Sequence, residues 1–590
     1  MIRRCEFKLV FDLVRRSAVG KDLEGILVPS GTGRPRQLTA EVFITGAVLA
    51  ASKGLTLTLD NIHKVLTVEL SKSLQVVAGV RASLDSEPIT IRQVRYLLEA
   101  IDRRFSFTKE QDPTLSEVER EIRSEALQSI IDNLINATFP SAMPKQTAIA
   151  VDSSGVEAWS KSRYAPTAES DEADVLPNEV VEDEDAPVEI KKHSRAQRQA
   201  GKGKKEKSKK AKRERICHDP DAHGGYRSMT YDNKSNKFTG YDLFASVGVA
   251  PVGTPNDLWP KVLLAMTLKP AAGDVTAPAL GQFDRLISSG HPIDEVIVDR
   301  GFSYKTPEHW ANELLKRGIS QVQDIHPLDQ GVRDFEGMRV IAGVPHCVRM
   351  PDELIDIARP GHFKVGPLKK KATPEAKLNH ERNTRELAEF HAKIAERERW
   401  ASVRNQGAPE GARDPGKSQW ICAGKAGKIE CSLCPMGKDF PEGTPVVLNP
   451  PALDTAPPCC TQETRMVPGA VTAKLRQKDY WGSEAFCESY SRRSCIEGIF
   501  GNLRNTSTQN IKRSFCRVSG IVKTSLMLTF EVVAANIRLV RQWAKRNQLT
   551  ADPLCAPMPE THGFEELDAD GQISLTELSF LDDPPGDLAA

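Results

Sequence analysis

The stretch "PIDEVIVDRGF", Pro292 to Phe302, is a short apolar run that ends in an acid. Val296, Ile297 and Val298 suit a pleated, fully buried position, and Pro292 and Gly301 bound the run. It predicts a buried strand ending at Asp299. Upstream, "APALGQFDRLISSG" reads as a helix closed by Gly290. Before it, "WPKVLLAMTLKP" reads as a strand, and "GGYRSMTYDNKSNKFTGYDLFASVGVA" as a hairpin turning at "DNKSNK". Downstream, "TPEHWANELLKRGI" reads as a helix opened by Thr306 and Pro307. The order β-β-β-α-β-α predicts an α/β fold: a mixed sheet with helices packed on it. A further short β run, in "KQTAIAVDSSG", is expected to end at Asp152.

The chain has 590 residues, enough for two to four units. Hydrophobic residues make up 39%, and Lys+Arg (80) balance Asp+Glu (79), so the total charge hides any local asymmetry. No apolar run reaches the ~18 residues of a spanning helix. The N-terminus "MIRRCEFKLVFDLVRR" has no apolar core followed by a cleavage site. The expectation is an intracellular protein with no membrane partner. Its twelve cysteines would then serve as thiols or metal ligands, not as a disulfide frame.

The first ~135 residues carry apolar side chains at helical spacing, as in "LTAEVFITGAVLAASKGL" and "IRQVRYLLEAIDRRF". After Asp152 comes a charged insert. Asp171 to Ile190 holds nine acids and no base, and Lys191 to Arg215 holds thirteen Lys/Arg against two Glu. Such blocks read as solvated linkers or nucleic-acid contacts. Residues 331–480 interrupt the core pattern with a basic helical stretch, Lys369 to Trp400, and a cysteine cluster. Helix is expected to resume at about Gly482 and run on through "VKTSLMLTFEVVAANIRLVRQWAKR", before an acidic tail over 549–590.

"YSRRSCIEGIFGNLR", Tyr490 to Arg504, reads as a helix. At about 100° per residue, Tyr490, Arg493, Glu497 and Arg504 fall within about 60° of one another. Cys495, Ile499 and Leu503 fall opposite, with Ile496 and Phe500 on a flank. Gly498 and Gly501 are poor helix formers on an ordinary solvated face. Gly501 leaves room beside Glu497 for a nucleic-acid backbone. A solvated charge cluster is the plain alternative. One carboxylate does little chemistry alone, but cleavage of a phosphodiester by two divalent ions needs about three. Asp152 and Asp299 are the other two candidates. The acids of "DPDA", Asp219 and Asp221, rank below Asp152 because their context looks like a loop.

These residues resemble bacterial insertion-sequence transposases of the DDE class. Tyr490, Arg493, Glu497 and Arg504 stand at the positions of the Y-x2-R-x3-E-x6-K/R signature. "AIAVDSSG" is similar to that family's first-aspartate strand and "VIVDRGF" to its second-aspartate motif. The resemblance covers roughly residues 145–325 and 480–545. It implies a ribonuclease H-like mixed-sheet catalytic core, with the aspartates on adjacent strands and the glutamate on a later helix. It further implies a helical DNA-binding domain over 1–140 and a core over 145–330, with the insert at 160–215. An insertion domain over 331–480 and the second part of the core over 481–548 complete the layout. The implied activity is strand cleavage and transfer at transposon ends. Asp152, Asp299 and Glu497 would hold two Mg²⁺ (or Mn²⁺), and Tyr490, Arg493 and Arg504 would contact DNA. Partners would be the terminal repeats and target DNA, bound by a homodimer, in a bacterial cytoplasm at the nucleoid. A transposase-derived DNA-binding protein without catalysis is the competing reading.

Two further metal sites are candidates. Cys422-x8-Cys431-x2-Cys434, with Cys459 or Cys460, could supply four thiolates to a structural Zn²⁺. "ELDADGQISLTE" matches an EF-hand loop, with Glu566, Asp568, Asp570 and Glu577 as Ca²⁺ ligands. Its entering helix is poor and no second hand is present. A calcium-regulated interaction protein is the third reading, and it rests on that tail alone.

Overall fold

In a computed structural model, the described residues are 1–27, 36–160, 217–226, 237–407, 414–434 and 440–555. Two short strand pairings are added, Arg163–Tyr164 with Arg215–Ile216 and Glu566–Leu567 with Ile573–Ser574. The acidic block at 171–190 and nearly all of the basic block at 191–215 lie outside these residues. So do Asp568, Asp570 and Glu577, and no side chain of Glu566 is described.

The core is a six-stranded mixed sheet with helices, an α/β arrangement. Ala148–Glu157 lies at its middle. On one side it pairs antiparallel with Lys237–Gly248, which pairs antiparallel with Leu263–Pro270 and, at its start, with His223–Tyr226. On the other side it pairs parallel with Glu295–Val298, which pairs parallel with Ser320–Gln323. The expected strands and the hairpin flanking "DNKSNK" are present, and the hairpin's tip lies outside the described residues. The helix Thr276–Ser288 ends at Gly290, whose φ of 86° suits glycine.

Several elements differ from the sequence expectation. The strand expected to end at Asp152 runs on to Glu157, paired with the start of Lys237–Gly248. The helix expected from Thr306 is a short turn, Pro307–His309, followed by Ala311–Lys316. Between them Trp310 leaves helical geometry and is buried, with its ring 4.5 Å from Phe302 and 6.1 Å from Phe283. Filling the core outweighs continuing the helix there. The strand Ser320–Gln323 was not expected, because Gln321 and Gln323 interrupt its apolar run. Both are buried, and their side-chain amides bond the backbone of Ala473, Lys474 and Arg476. That segment covers the sheet edge and satisfies polar groups that would otherwise be costly. Helix also stops between Arg504 and Ile521 instead of running on from Gly482.

The helix Ile521–Arg546 is buried on nearly all sides. It packs on the sheet strand Leu263–Pro270 and on the N-terminal helices Ala40–Ser52 and Glu117–Asn136. Its Asn536 side chain exchanges two hydrogen bonds with the Leu263 backbone, 3.0 and 2.9 Å, beside an irregularity in the sheet. Asp219 and Asp221 hold its N-terminus. Asp219 accepts from Gly520 N and Tyr241 Oη, and Asp221 from Ile521 N, Thr108 and Gln111. Both "DPDA" carboxylates are therefore occupied as helix-end acceptors.

The stretch from Tyr490 to Arg504 is two helices, Glu484–Ser491 and Ser494–Arg504. Arg492 and Arg493 form the joint, where backbone N–H groups bond three residues back instead of four. The joint turns Arg492 inward. It is 6% exposed, and its guanidinium meets the Glu295 carboxylate, which is 2% exposed. Arg492 also donates to Ala250 O (3.2 Å) and Ser489 O (3.1 Å), and Glu295 accepts from Ser489 Oγ (3.1 Å) and Lys478. The pair fixes the glutamate helix against the second-aspartate strand. Arg492→Ala and Glu295→Ala should each cost about 3–5 kcal/mol, because each leaves a buried charge behind. The double substitution should cost less than the sum, and thermal unfolding of the four proteins measures the coupling.

Candidate active site

Asp152 lies within the central strand, and Asp299 directly follows the neighbouring parallel strand. Ala148, Ile149 and Ala150 sit opposite Glu295, Val296 and Ile297. Continuing that register brings Asp152 level with Asp299. Both carboxylates are fixed by local backbone: Asp152 Oδ1 accepts from Ser153 N (2.8 Å) and Asp299 Oδ1 from Gly301 N (2.8 Å). A Cβ at Gly301 would lie 2.8 Å from that same Oδ1, so a larger residue there would push the Asp299 carboxylate aside.

Glu497 stands on the helix Ser494–Arg504 and is 59% exposed. Arg493 bridges it to the strand. Its Nη2 donates to Glu497 Oε1 at 2.8 Å, and its Nη1 to Asp152 Oδ2 at 3.2 Å. The expected apolar face, Cys495, Ile496, Ile499, Phe500 and Leu503, is buried, while Gly498 and Gly501 face open space. Arg504 turns to the strand beyond Asp152, bonding Ser154 Oγ and Gly155 O (3.1 Å).

Tyr490 belongs to the preceding helix, not to one continuous face with Glu497. Its ring packs on Phe486 and Phe363, both at 5.7 Å, in an aromatic cluster with Phe390 and Trp481. Arg492, beside Arg493 in the chain, faces the core as described.

The electrostatics follow from crowding of like charge. Burial raises the Asp152 pKa to about 6, and Asp299 and Glu497 add to it against Arg493 and the Ser153 amide. Burial works against the Arg493 charge, but Asp152, Tyr490, Glu497 and Asp299 outweigh it and raise its pKa. Burial also raises the Tyr490 phenol, with the Arg493 charge pulling the other way.

Sequence reasoning missed Asp324. It follows the strand Ser320–Gln323 as Asp299 follows its own, and it bears on the Tyr490 phenol through its charge. The signal was the same strand-then-acid pattern, masked by the two glutamines. Asp324 is buried and paired with Arg359 in two-pronged geometry, 2.8 and 3.2 Å, so its charge is already balanced.

Among the described residues, no group of three or more His, Cys, Asp or Glu side chains is assembled into a metal site. At the carboxylates, Arg493 stands between Asp152 and Glu497. The donors are all oxygens, with one shared cation for three acids, which fits a hard ion such as Mg²⁺. In the insertion, Cys434, Cys459 and Cys460 are buried, while Cys422 and Cys431 are half-buried. Among the described residues, no helix is long and apolar enough to cross a membrane. Compared with known proteins, the chain matches no family model, no curated protein and no solved structure.

A raised carboxylate pKa makes the folded state hold a proton that the unfolded state releases. Stability therefore falls as pH rises from the ordinary carboxylate range to about 6, and the whole penalty is present above that. Asp152→Asn should raise the melting temperature at about pH 7.5, by an amount worth roughly 1–3 kcal/mol. The gain should shrink as pH falls through about 6 and vanish near pH 3. Melting curves across that range test it.

Proposed function

We propose that the protein is a DDE-type DNA transposase with a ribonuclease H-like core. The observation that carries this reading is the joining of three separate chain regions at one sheet end. Asp152, within the central strand, lies level with Asp299, which follows the neighbouring parallel strand, and Glu497, on a helix from beyond the insertion, connects to Asp152 through Arg493. That arrangement agrees with two aspartates on adjacent strands and a glutamate on a later helix. The signature residues support the same reading through their contacts, since Arg493 and Arg504 both reach the first-aspartate strand.

In this reading Asp152, Asp299 and Glu497 would hold Mg²⁺, which when bound activates the attacking oxygen and stabilises the leaving one. The chain's own groups do the positioning. Arg493 neutralises the carboxylates in the free protein and turns to phosphate when DNA and metal arrive. Arg504 holds the outer part of the aspartate strand and adds positive charge beside the scissile backbone. Gly498 and Gly501 keep the helix face low, so that a phosphate backbone approaches Glu497 closely. Water is the first nucleophile, and the freed 3′-hydroxyl is the second.

Glu497→Gln and Asp299→Asn should each abolish nicking of a terminal-repeat substrate in Mg²⁺ while leaving its binding within about threefold (~0.6 kcal/mol). Near wild-type nicking by either variant would remove that residue from the ligand set. A protein that binds these ends but never cuts them, even as wild type, would favour the non-catalytic relative.

The basic block Lys191 to Arg215 is proposed to bind phosphates. Its deletion should weaken DNA binding and flatten the plot of log affinity against log salt, since fewer counterions are released. An unchanged slope would make the block a linker.

A further inference from the structure

The insertion contains a segment that lacks the usual means of holding a shape. Between the strand Ser418–Ile421 and the short helix Pro458–Thr461, the described residues form turns and one isolated bridge, Glu430 with Val446. Irregular segments of this length are uncommon in compact domains. Few apolar side chains anchor it: Ala423, Ile429 and Val447 reach the main core, and the small core beside it buries Met338, Trp420 and Val467 with Cys459 and Cys460, flanked by Leu433 and Ala456. Five cysteines lie in or at the ends of this segment, and a sixth, Cys347, comes from the start of the insertion.

The cysteines sit on turns that face each other. In the first turn, Cys422 O accepts from Ala426 N at 2.8 Å and Ala423 O from Lys428 N at 2.9 Å. In the second, Cys434 N bonds Cys431 O at 2.9 Å, closing a tight C-x2-C turn. The turns touch at Gly424. A Cβ there would lie 3.1 Å from Cys431 Cβ and 3.5 Å from Cys434 Sγ. The absent side chain lets the Cys422 turn come down onto the other two thiols. Lys425 then reaches from the first turn to Gln462 O, which draws in the Cys459–Cys460 helix.

We propose that Cys422, Cys431, Cys434 and Cys460 form a tetrahedral thiolate site for a structural Zn²⁺. Burial raises the pKa of the Cys422 and Cys434 thiols, so the charge that favours the thiolates would come from the bound ion itself. Soft sulfur selects zinc over the hard ions that suit the carboxylates, so the two sites would not exchange metals. The fourth ligand is assigned to Cys460 and not to Cys459. Adjacent residues on one helical turn point about 100° apart, so one ion takes only one of them. Cys434 feels the charge of Cys422, Cys431 and Cys460, and Cys459 lies 3.9 Å from Cys460 as a hydrogen-bonding neighbour. The thiols are near one another without being assembled into a site. Metal binding would therefore draw the turns together and order the segment. The inference does not depend on the DNA-cleavage reading, and its test uses no DNA.

Full-length protein purified with zinc and without chelator should carry about one zinc per chain by elemental analysis. Replacing zinc with Co²⁺ should give the strong sulfur-to-cobalt charge-transfer bands of a four-thiolate tetrahedral centre. Cys434→Ser and Cys460→Ser should lose most of the metal, and Cys347→Ser and Cys459→Ser should keep it. If the first two misfold, wild-type protein still decides: chelation should expose four additional thiols to alkylation and open the segment to protease. Metal-free wild type with unchanged protease resistance, a Cys431–Cys434 disulfide in non-reducing mass spectra, or zinc lost from Cys459→Ser but not from Cys460→Ser would overturn the assignment.

Discussion

The position of Glu497 depends on a charge pair that takes no part in the proposed chemistry. Glu295 opens the strand that Asp299 follows, and Arg492 lies five residues before Glu497. Their buried contact fixes the spacing between the second aspartate and the glutamate helix. An ion pair at this depth adds little stability compared with an apolar pair of the same shape. It adds direction, however: the Arg492 guanidinium also needs Ser489 and Ala250 as partners, and these are met at one register only. A helix held by apolar contacts alone could slide or turn, carrying Glu497 away from Arg493 and Asp152. Arg492 and Arg493 are neighbours in sequence with opposite duties. The tight joint between the two helices sends one to the core and the other to the carboxylates.

The sequence made the strands legible wherever burial was uniform. The runs up to Asp152 and Asp299 are apolar on both faces, as a central strand requires; the second stands as expected, and the first continues to Glu157 through half-polar positions. It failed where polar side chains take buried places. Gln321 and Gln323 belong to a strand because a segment some 150 residues later supplies their acceptors, and no local pattern carries that information. Arg492 is a related case. At about 100° per residue it falls on the side of Cys495, Ile499 and Leu503, but the buried acid that explains a charge there lies 197 residues earlier in the chain. Asp219 and Asp221 looked loop-like because the helix end they hold is some 300 residues away. Charged residues that satisfy remote partners are the ones local patterns misread.

Three acids lie in or just after the strands that pair in parallel, and each is treated differently. Asp324 has Arg359 to itself and is balanced. Asp152 shares Arg493 with Glu497, so one positive charge serves two carboxylates. Asp299 is held by the amide of Gly301, a neutral donor, and its charge falls on Asp152. Burial first, and this crowding after it, raise the Asp152 pKa. A protein gains no stability from such a surplus, and a single further arginine would remove it, as Arg359 does one strand away. Leaving the surplus at Asp152, Asp299 and Glu497, beside two glycines that keep the helix face open, makes physical sense where a cation and a polyanion come and go together.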